Sequence, residues 1–180
     1  MYAIVDIETT GSSVKSNGIT DIGIVLHDGK KIEGKYQTLI NPNVPIPWFV
    51  ARLTGISNKM VAAAPQFDEV AKNIYELLKG RIFVAHNAGF DFPYVHYFLK
   101  QAGFDIRPKV LCTLQLSKIA FPHLAKHGLE FLCETLNIPN YSQHRAAGDA
   151  LATAYLLEMI LKNGGEKLIE SVTCNMEQLR

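Results

Sequence analysis

Ile4-Val5-Asp6-Ile7-Glu8-Thr9-Thr10-Gly11 sets two acids inside an aliphatic run. Alternate residues of a strand face the same side. Asp6 and Glu8 therefore point together, about 7 Å apart by the rise per residue. Two like charges on one face of a central strand repel each other and resist burial. A divalent cation between them removes both costs. An edge strand with one solvated face would also tolerate them, but the flanking Ile4, Val5 and Ile7 read as buried.

Outward from this stretch, Tyr2–Glu8 reads as the first strand. Asp21–His27 and Lys31–Ile40 read as a hairpin across Asp28-Gly29. Asn41–Pro47 (NPNVPIP) is extended or irregular, because its prolines lack backbone donors. A helix is expected over Trp48–Leu53. A second, opened by Pro65, runs to Leu78 with Phe67, Val70, Ile74, Leu77 and Leu78 on one side. Gly80 stops it. Ile82–Ala85 is a short apolar strand of the kind found in a sheet interior. Further helices are expected over Phe92–Ala102, Leu114–Phe121, Leu129–Leu136 and Ala146–Asn163, with a strand at Val110–Cys112. Antiparallel strands followed by alternating strands and helices predict an α/β fold, a mixed central sheet with helices on both faces. Residues 1–163 form one domain in this reading. Gly164-Gly165 then breaks the pattern, and residues 164–180 are a short extra helix or the start of a linker.

Two more acids sit where a core is expected. In His86-Asn87-Ala88-Gly89-Phe90-Asp91, Asp91 opens a helix directly after the buried strand. A helix cap that answers the helix dipole explains such an acid, and so does a site at a strand end. In His144-Arg145-Ala146-Ala147-Gly148-Asp149, Asp149 shares a helical face with Ala152, Thr153, Leu156 and Ile160. His144 lies five residues earlier, which on a continuous helix turns it about 140° away. If the two act together, His144 must lie on the preceding loop. A solvated or capping histidine is the alternative.

Composition narrows the function classes. The 180 residues, 48% hydrophobic, suit one domain with a sizeable core. A formal net charge of +1 argues against a protein that coats long duplexes by phosphate neutralisation. It permits a local site where bound metal supplies the positive charge. Cys112, Cys133 and Cys174 have no zinc-site spacing and suggest a reduced, cytoplasmic setting. No signal peptide or membrane span is expected. A dinucleotide-binding fold is disfavoured, since no Gly-x-Gly-x-x-Gly turn follows the first strand.

Taken in order, Asp6-Ile7-Glu8-Thr9-Thr10-Gly11, His86 to Asp91 and His144 to Asp149 resemble the motifs of the DnaQ-like (DEDDh) 3′–5′ exonuclease family, that of the proofreading subunit of bacterial DNA polymerase III and of ribonuclease T. The match covers about residues 2 to 162. Arg145 stands where the sister group has tyrosine, and Cys112 stands where many relatives have Asp, a non-catalytic position read as packing. The resemblance implies a ribonuclease-H-like fold and two Mg²⁺ or Mn²⁺ ions held by Asp6, Glu8, Asp91 and Asp149. It also implies His144 as general base and hydrolysis from the 3′ end that releases nucleoside 5′-monophosphates. Thr9, Thr10 and Gly11 are expected to hold the terminal sugar through backbone amides. Phe90, Leu53 and Ile56 are expected to stack or wedge against the last bases, with His86 and Asn87 also in contact with substrate. Core packing is the alternative for the apolar ones, and Trp48 and Phe49 read as core or lid. The expected partner is the 3′ end of single-stranded or frayed DNA, with a DNA polymerase or further domains of a longer chain as working context. An RNA-trimming enzyme is the alternative. A binding module that has lost the chemistry is the remote one, since it should lack one of the five catalytic residues.

Overall fold

Strands that are apolar on both sides need cover on both sides, and this chain supplies it. The computed structural model describes residues 1–140 and 144–172, with side chains as far as residue 163. Strands β1 (Tyr2–Thr9), β2 (Ile19–His27), β3 (Ile32–Leu39), β4 (Ile82–Ala85) and β5 (Val110–Cys112) form one sheet in the order β3-β2-β1-β4-β5. The β1–β2 and β2–β3 pairs are antiparallel, and the β1–β4 and β4–β5 pairs are parallel. The helices are α1 (Trp48–Thr54), α2 (Asn58–Val61), α3 (Phe67–Leu78), α4 (Ala88–Gln101), α5 (Thr113–Ala120), α6 (Leu129–Leu136) and α7 (Ala146–Val172).

Alternation along β1 assigns the layers. Ala3, Val5 and Ile7 pack with α3 and α4, through Phe67, Ile74, Tyr94 and Leu99. Ile4 faces the other way and joins Leu116, Leu132, Leu156, Leu157 and Ile160 of α5, α6 and α7. Each fully buried Leu or Ile of α7 contributes about 1.5–3 kcal/mol. Asp6 and Glu8 follow Ile4 at intervals of two, so they face α7. A smaller cluster of Ile46, Val50, Ile56 and Val61 packs α1 and α2 beside Leu39.

The parallel β1–β4 pairing brings the C-terminal ends of both strands to one sheet edge, the place where open α/β sheets bind ligands. The register Asp6↔Gly23 then seats α7. A β-carbon on Gly23 would lie 2.4 Å from both the carbonyl carbon and the oxygen of Ala146, and 2.6 Å from the amide of Ala147. The first turn of α7 thus rests on bare β2 backbone beside Asp6. Farther along, His27 Nε2 meets Glu158 Oε1 at 3.0 Å and ties α7 to β2 a second time.

Several elements depart from expectation for local reasons. Helix α7 continues through Gly164-Gly165 to Val172. Each glycine costs about 1 kcal/mol against alanine but imposes no steric stop, and propagation of an existing helix is easy. Residue 163 is therefore not a helix end. The rest of that tail, residues 173–180 with Cys174, lies outside the described residues. Helix α4 starts at Ala88 rather than Phe92, from Asn87 in the left-handed region at φ 80. Pro93 sits in its second turn and forgoes one hydrogen bond, rather than opening the helix. Pro65 stays outside α3, which starts with a Gln66–Glu69 capping box, and its carbonyl accepts from the Asn41 amide. The one-turn α2 is too short to leave a periodic signal. Trp48 and Phe49 are not core: they are 75% and 59% exposed.

Gly23→Ala should lower stability by at least about 1–3 kcal/mol, because the clash is with backbone that cannot swing aside. At this size that is a fall of several degrees in Tm. An unchanged Tm in thermal unfolding would show that α7 does not need this seat.

Candidate active site

Three elements deliver carboxylates to the sheet edge. β1 carries Asp6 and Glu8, and α7 carries Asp149 in its first turn. One oxygen from each of these three lies within 4.8 Å of the other two. Asp91, in the first turn of α4, reaches the end of β1 from the opposite layer. It is only 4% exposed, and its Oδ1 accepts from the Ile7 amide at 3.3 Å. Asp91 stands outside the tight trio but lines the same cleft, an open cavity of about 700 Å³.

Crowding and burial show in the proton affinities. Burial, then the charges of Asp91, Asp149, Glu8 and Asp21, push Asp6 well above the usual carboxylate range, although Asp6 keeps some surface in the cleft. Burial first, then Asp149 and Asp21, raise Glu8 to about 7, with Arg145 acting the other way. Burial raises Asp91 to about 8 against the pull of the Ile7 amide. Burial also raises Asp149, opposed by hydrogen bonds from Asn140 and His144. Those bonds run from Asn140 Nδ2 at 2.7 Å and from the His144 backbone amide at 2.9 Å. Four acids with elevated proton affinity and hard oxygen donors fit a divalent cation better than any protein partner at hand. No thiolate or imidazole belongs to the trio.

His144 stands two residues ahead of α7, exposed, with φ 58, and lines the cleft. The loop position that the five-residue offset demands is the one it occupies. Asn87 is exposed on the cleft wall, and Phe90 lines it while leaning on Tyr94 at 5.4 Å between ring centroids.

Other expected contacts fall elsewhere. His86 lines the cleft, but both ring nitrogens are engaged, Nδ1 with Thr113 Oγ1 at 3.0 Å and Nε2 with the His127 carbonyl at 2.9 Å. Burial lowers its pKa to about 4 and keeps it neutral. His86 is therefore a brace between β4 and the loop before α6, with no ring nitrogen left for substrate. The Thr10 amide bonds the Gly18 carbonyl, and its hydroxyl donates to Asn17 Oδ1, so neither is open to a sugar. Thr9 is buried with its hydroxyl on the Gly11 carbonyl, and Gly11 packs against Asn17. None of these three lines the cleft. Ile56 is fully buried and offers no face to a base, whereas Leu53 is 61% exposed. Cys112 and Cys133 are free thiols in the core.

The sequence assigns no site role to Asn140, Asp21, Arg145 or the far wall of the cleft. That wall is formed by Lys126 of the loop before α6 and by Leu129, Phe131 and Glu134 of α6. These residues carry no local signal, since each acquires its place only through tertiary packing.

The raised carboxyls hold protons in the folded protein that the unfolded chain has already released. Folding therefore takes up protons between about pH 5 and pH 8, and metal-free stability should fall as pH rises through that window. Mg²⁺ at pH 8 should restore it, because the ion binds only the folded cluster. Asp91→Asn should flatten the metal-free slope. A metal-free Tm that climbs over this range, or that ignores saturating Mg²⁺, would contradict the crowding.

The chain matches the RNase T family model, described as an exonuclease, over residues 3–157. It is 42% identical over 157 residues to the 3′-5′ exonuclease DinG of Staphylococcus haemolyticus, covering 87% of this chain and 17% of that protein. It is 38% identical over 172 residues to the PolC-type DNA polymerase III of Caldanaerobacter subterraneus subsp. tengcongensis, covering 96% of this chain and 12% of that protein. The chain thus spans less than a fifth of the length of either relative. Its fold is that of exonuclease X in complex with 5′ overhanging duplex DNA, with a TM-score of 0.77, 28% identity, and coverage of 94% of this chain and 98% of that one. Among the described residues no helix is long and apolar enough to cross a membrane. With its mixed, ribonuclease-H-like sheet and its three motifs in order, the chain belongs to the exonuclease family of the DnaQ-like, RNase T type.

Proposed function

We propose that residues 1–163 act as a 3′–5′ exonuclease on DNA. They remove nucleoside 5′-monophosphates one at a time from single-stranded or frayed 3′ ends. The observation that carries this reading is the convergence of Asp6, Glu8 and Asp149 within 4.8 Å, with Asp91 and His144 lining the same cleft. The name of the PolC-type DNA polymerase III relative and the DNA held by exonuclease X support DNA over RNA. Both relatives contain this domain as a small part of a longer protein, which supports further domains or a DNA polymerase as its working context.

The carboxylates of Asp6, Glu8, Asp91 and Asp149 would hold two Mg²⁺ or Mn²⁺ ions. Such a pair, when bound, stabilises charge on the attacking and leaving oxygens of a phosphodiester. The His144 side chain accepts the proton of the attacking water. The water oxygen bonds to phosphorus as the bond to the 3′ oxygen of the preceding nucleotide breaks. Asn140 and the His144 amide keep the Asp149 carboxylate aimed at the site. Phe90 and Asn87 meet the terminal nucleotide, and the exposed Leu53 is the remaining candidate to wedge against its bases.

A low net charge and a cleft whose lining, among the described residues, includes one lysine, Lys126, and no arginine give little grip on a duplex. With Mn²⁺, a 5′-labelled linear single strand should shorten stepwise from its 3′ end, and EDTA should stop it. Blunt duplex should react more slowly, matched RNA more slowly than DNA, and circular single strands not at all. Equal rates on duplex and single strand, or cutting of circles, would refute the reading. His144→Ala should fold and bind metal normally while turnover falls by about 10²–10⁴-fold. Full activity in that variant would remove His144 from the reaction.

A further inference from the structure

Arg145 and Asp21 take no part in the chemistry above, yet they bracket it. Asp21 stands opposite Glu8 in the β1–β2 ladder and is fully buried. Facing residues of such a pair have Cβ atoms roughly 4.5–5.5 Å apart, and like charges there repel. A buried carboxylate in that position needs a paired cation. Arg145 supplies it, with Nε 3.0 Å from Asp21 Oδ2, and Gln37 of β3 donates to the same oxygen at 3.3 Å.

The position of Arg145 in the chain gives this pair a second consequence. It directly follows His144 and directly precedes α7. His144 has φ 58, in the left-handed region that a β-carbon disfavours. Its amide is bonded to Asp149 Oδ2. The backbone is thus held at residue 144 by α7 and at residue 145 by β2, while the imidazole stays exposed at the cleft. An ion pair with a buried carboxylate and a partly exposed guanidinium is weak evidence for stability as such. This one joins the strand beside Glu8 to the residue beside the base.

We propose that the Arg145–Asp21 ion pair is a positioning device that fixes the backbone from which His144 reaches the attacking water. This inference rests on the exonuclease reading above. Steady-state kinetics on a single-stranded DNA oligonucleotide with saturating Mn²⁺ test it. Arg145→Gln and Asp21→Asn should each lower kcat by about 10- to 100-fold, the scale of a misplacement near 1 Å. KM should stay within about threefold, and Arg145→Lys should recover part of the loss. In a His144→Ala background, Arg145→Gln should change kcat by less than about twofold, since the group it positions is gone. Independently of turnover, amide hydrogen exchange at residue 144 should quicken in Arg145→Gln while the α3 amides stay protected. Full kcat in Arg145→Gln, an undiminished further loss in the His144→Ala background, or unchanged exchange at residue 144 would each overturn this inference alone. An inactive wild type would instead overturn the exonuclease reading and the inference with it.

Discussion

Repulsion among carboxylates is the constraint on which the rest of this structure depends. Asp6, Glu8 and Asp149 hold oxygens within 4.8 Å of one another, with Asp91 against the same strand end. Left alone, such a group opposes folding or keeps its protons, and the affinities of Glu8 and Asp91, raised first by burial and then by neighbouring charge, reflect the second outcome. The apolar layers on both faces of the sheet supply the free energy that holds the acids together. Gly23 lets α7 approach β2 closely enough for Asp149 to arrive, and the Ile7 amide fixes Asp91 from the other layer.

The two walls of the cleft are built on different principles. The acidic wall belongs to the sheet edge and is rigid, anchored in strands buried on both faces. The opposite wall is a loop and a short helix, held by His86 between Thr113 and the His127 carbonyl and by Ser117 Oγ against His127 Nδ1. A histidine kept neutral by burial suits that bracing role, because its two hydrogen bonds then persist across physiological pH. His144 lies where the walls meet, its amide bonded to Asp149 and its side chain exposed. That arrangement suits the proton-accepting role proposed for His144.

Much of this is legible in the sequence, for identifiable reasons. Asp6 and Glu8 announce themselves because strand alternation puts both acids on one face of an apolar run. Asp91 is marked by its place at a helix start after a buried strand and Asp149 by its place in an apolar helical face, and the five-residue offset puts His144 on the preceding loop if it is to act with Asp149. Leu53 and Ile56 are not separable in this way. They lie three residues apart on either side of Gly55, and only packing against Val50 and Val61 turns Ile56 inward. Trp48 misleads for the related reason that an aromatic residue in a seven-residue helix carries no directional pattern. The Arg145–Asp21 contact spans 124 residues and the role of Asn140 depends on where α7 lands, so neither leaves a local trace.

The central claim is that these acids are held together for cations to neutralise. Calorimetric titration of Mn²⁺ into metal-free protein near pH 7, repeated in buffers of different ionisation enthalpy, tests it most directly. The account predicts about two ions per chain. It also predicts that binding releases protons, as Glu8 and Asp91 give up those that burial, and then crowding, makes them keep, and that Asp6→Asn abolishes the tight site. Binding without proton release, or an Asp6→Asn protein that takes up Mn²⁺ as the wild type does, would contradict it.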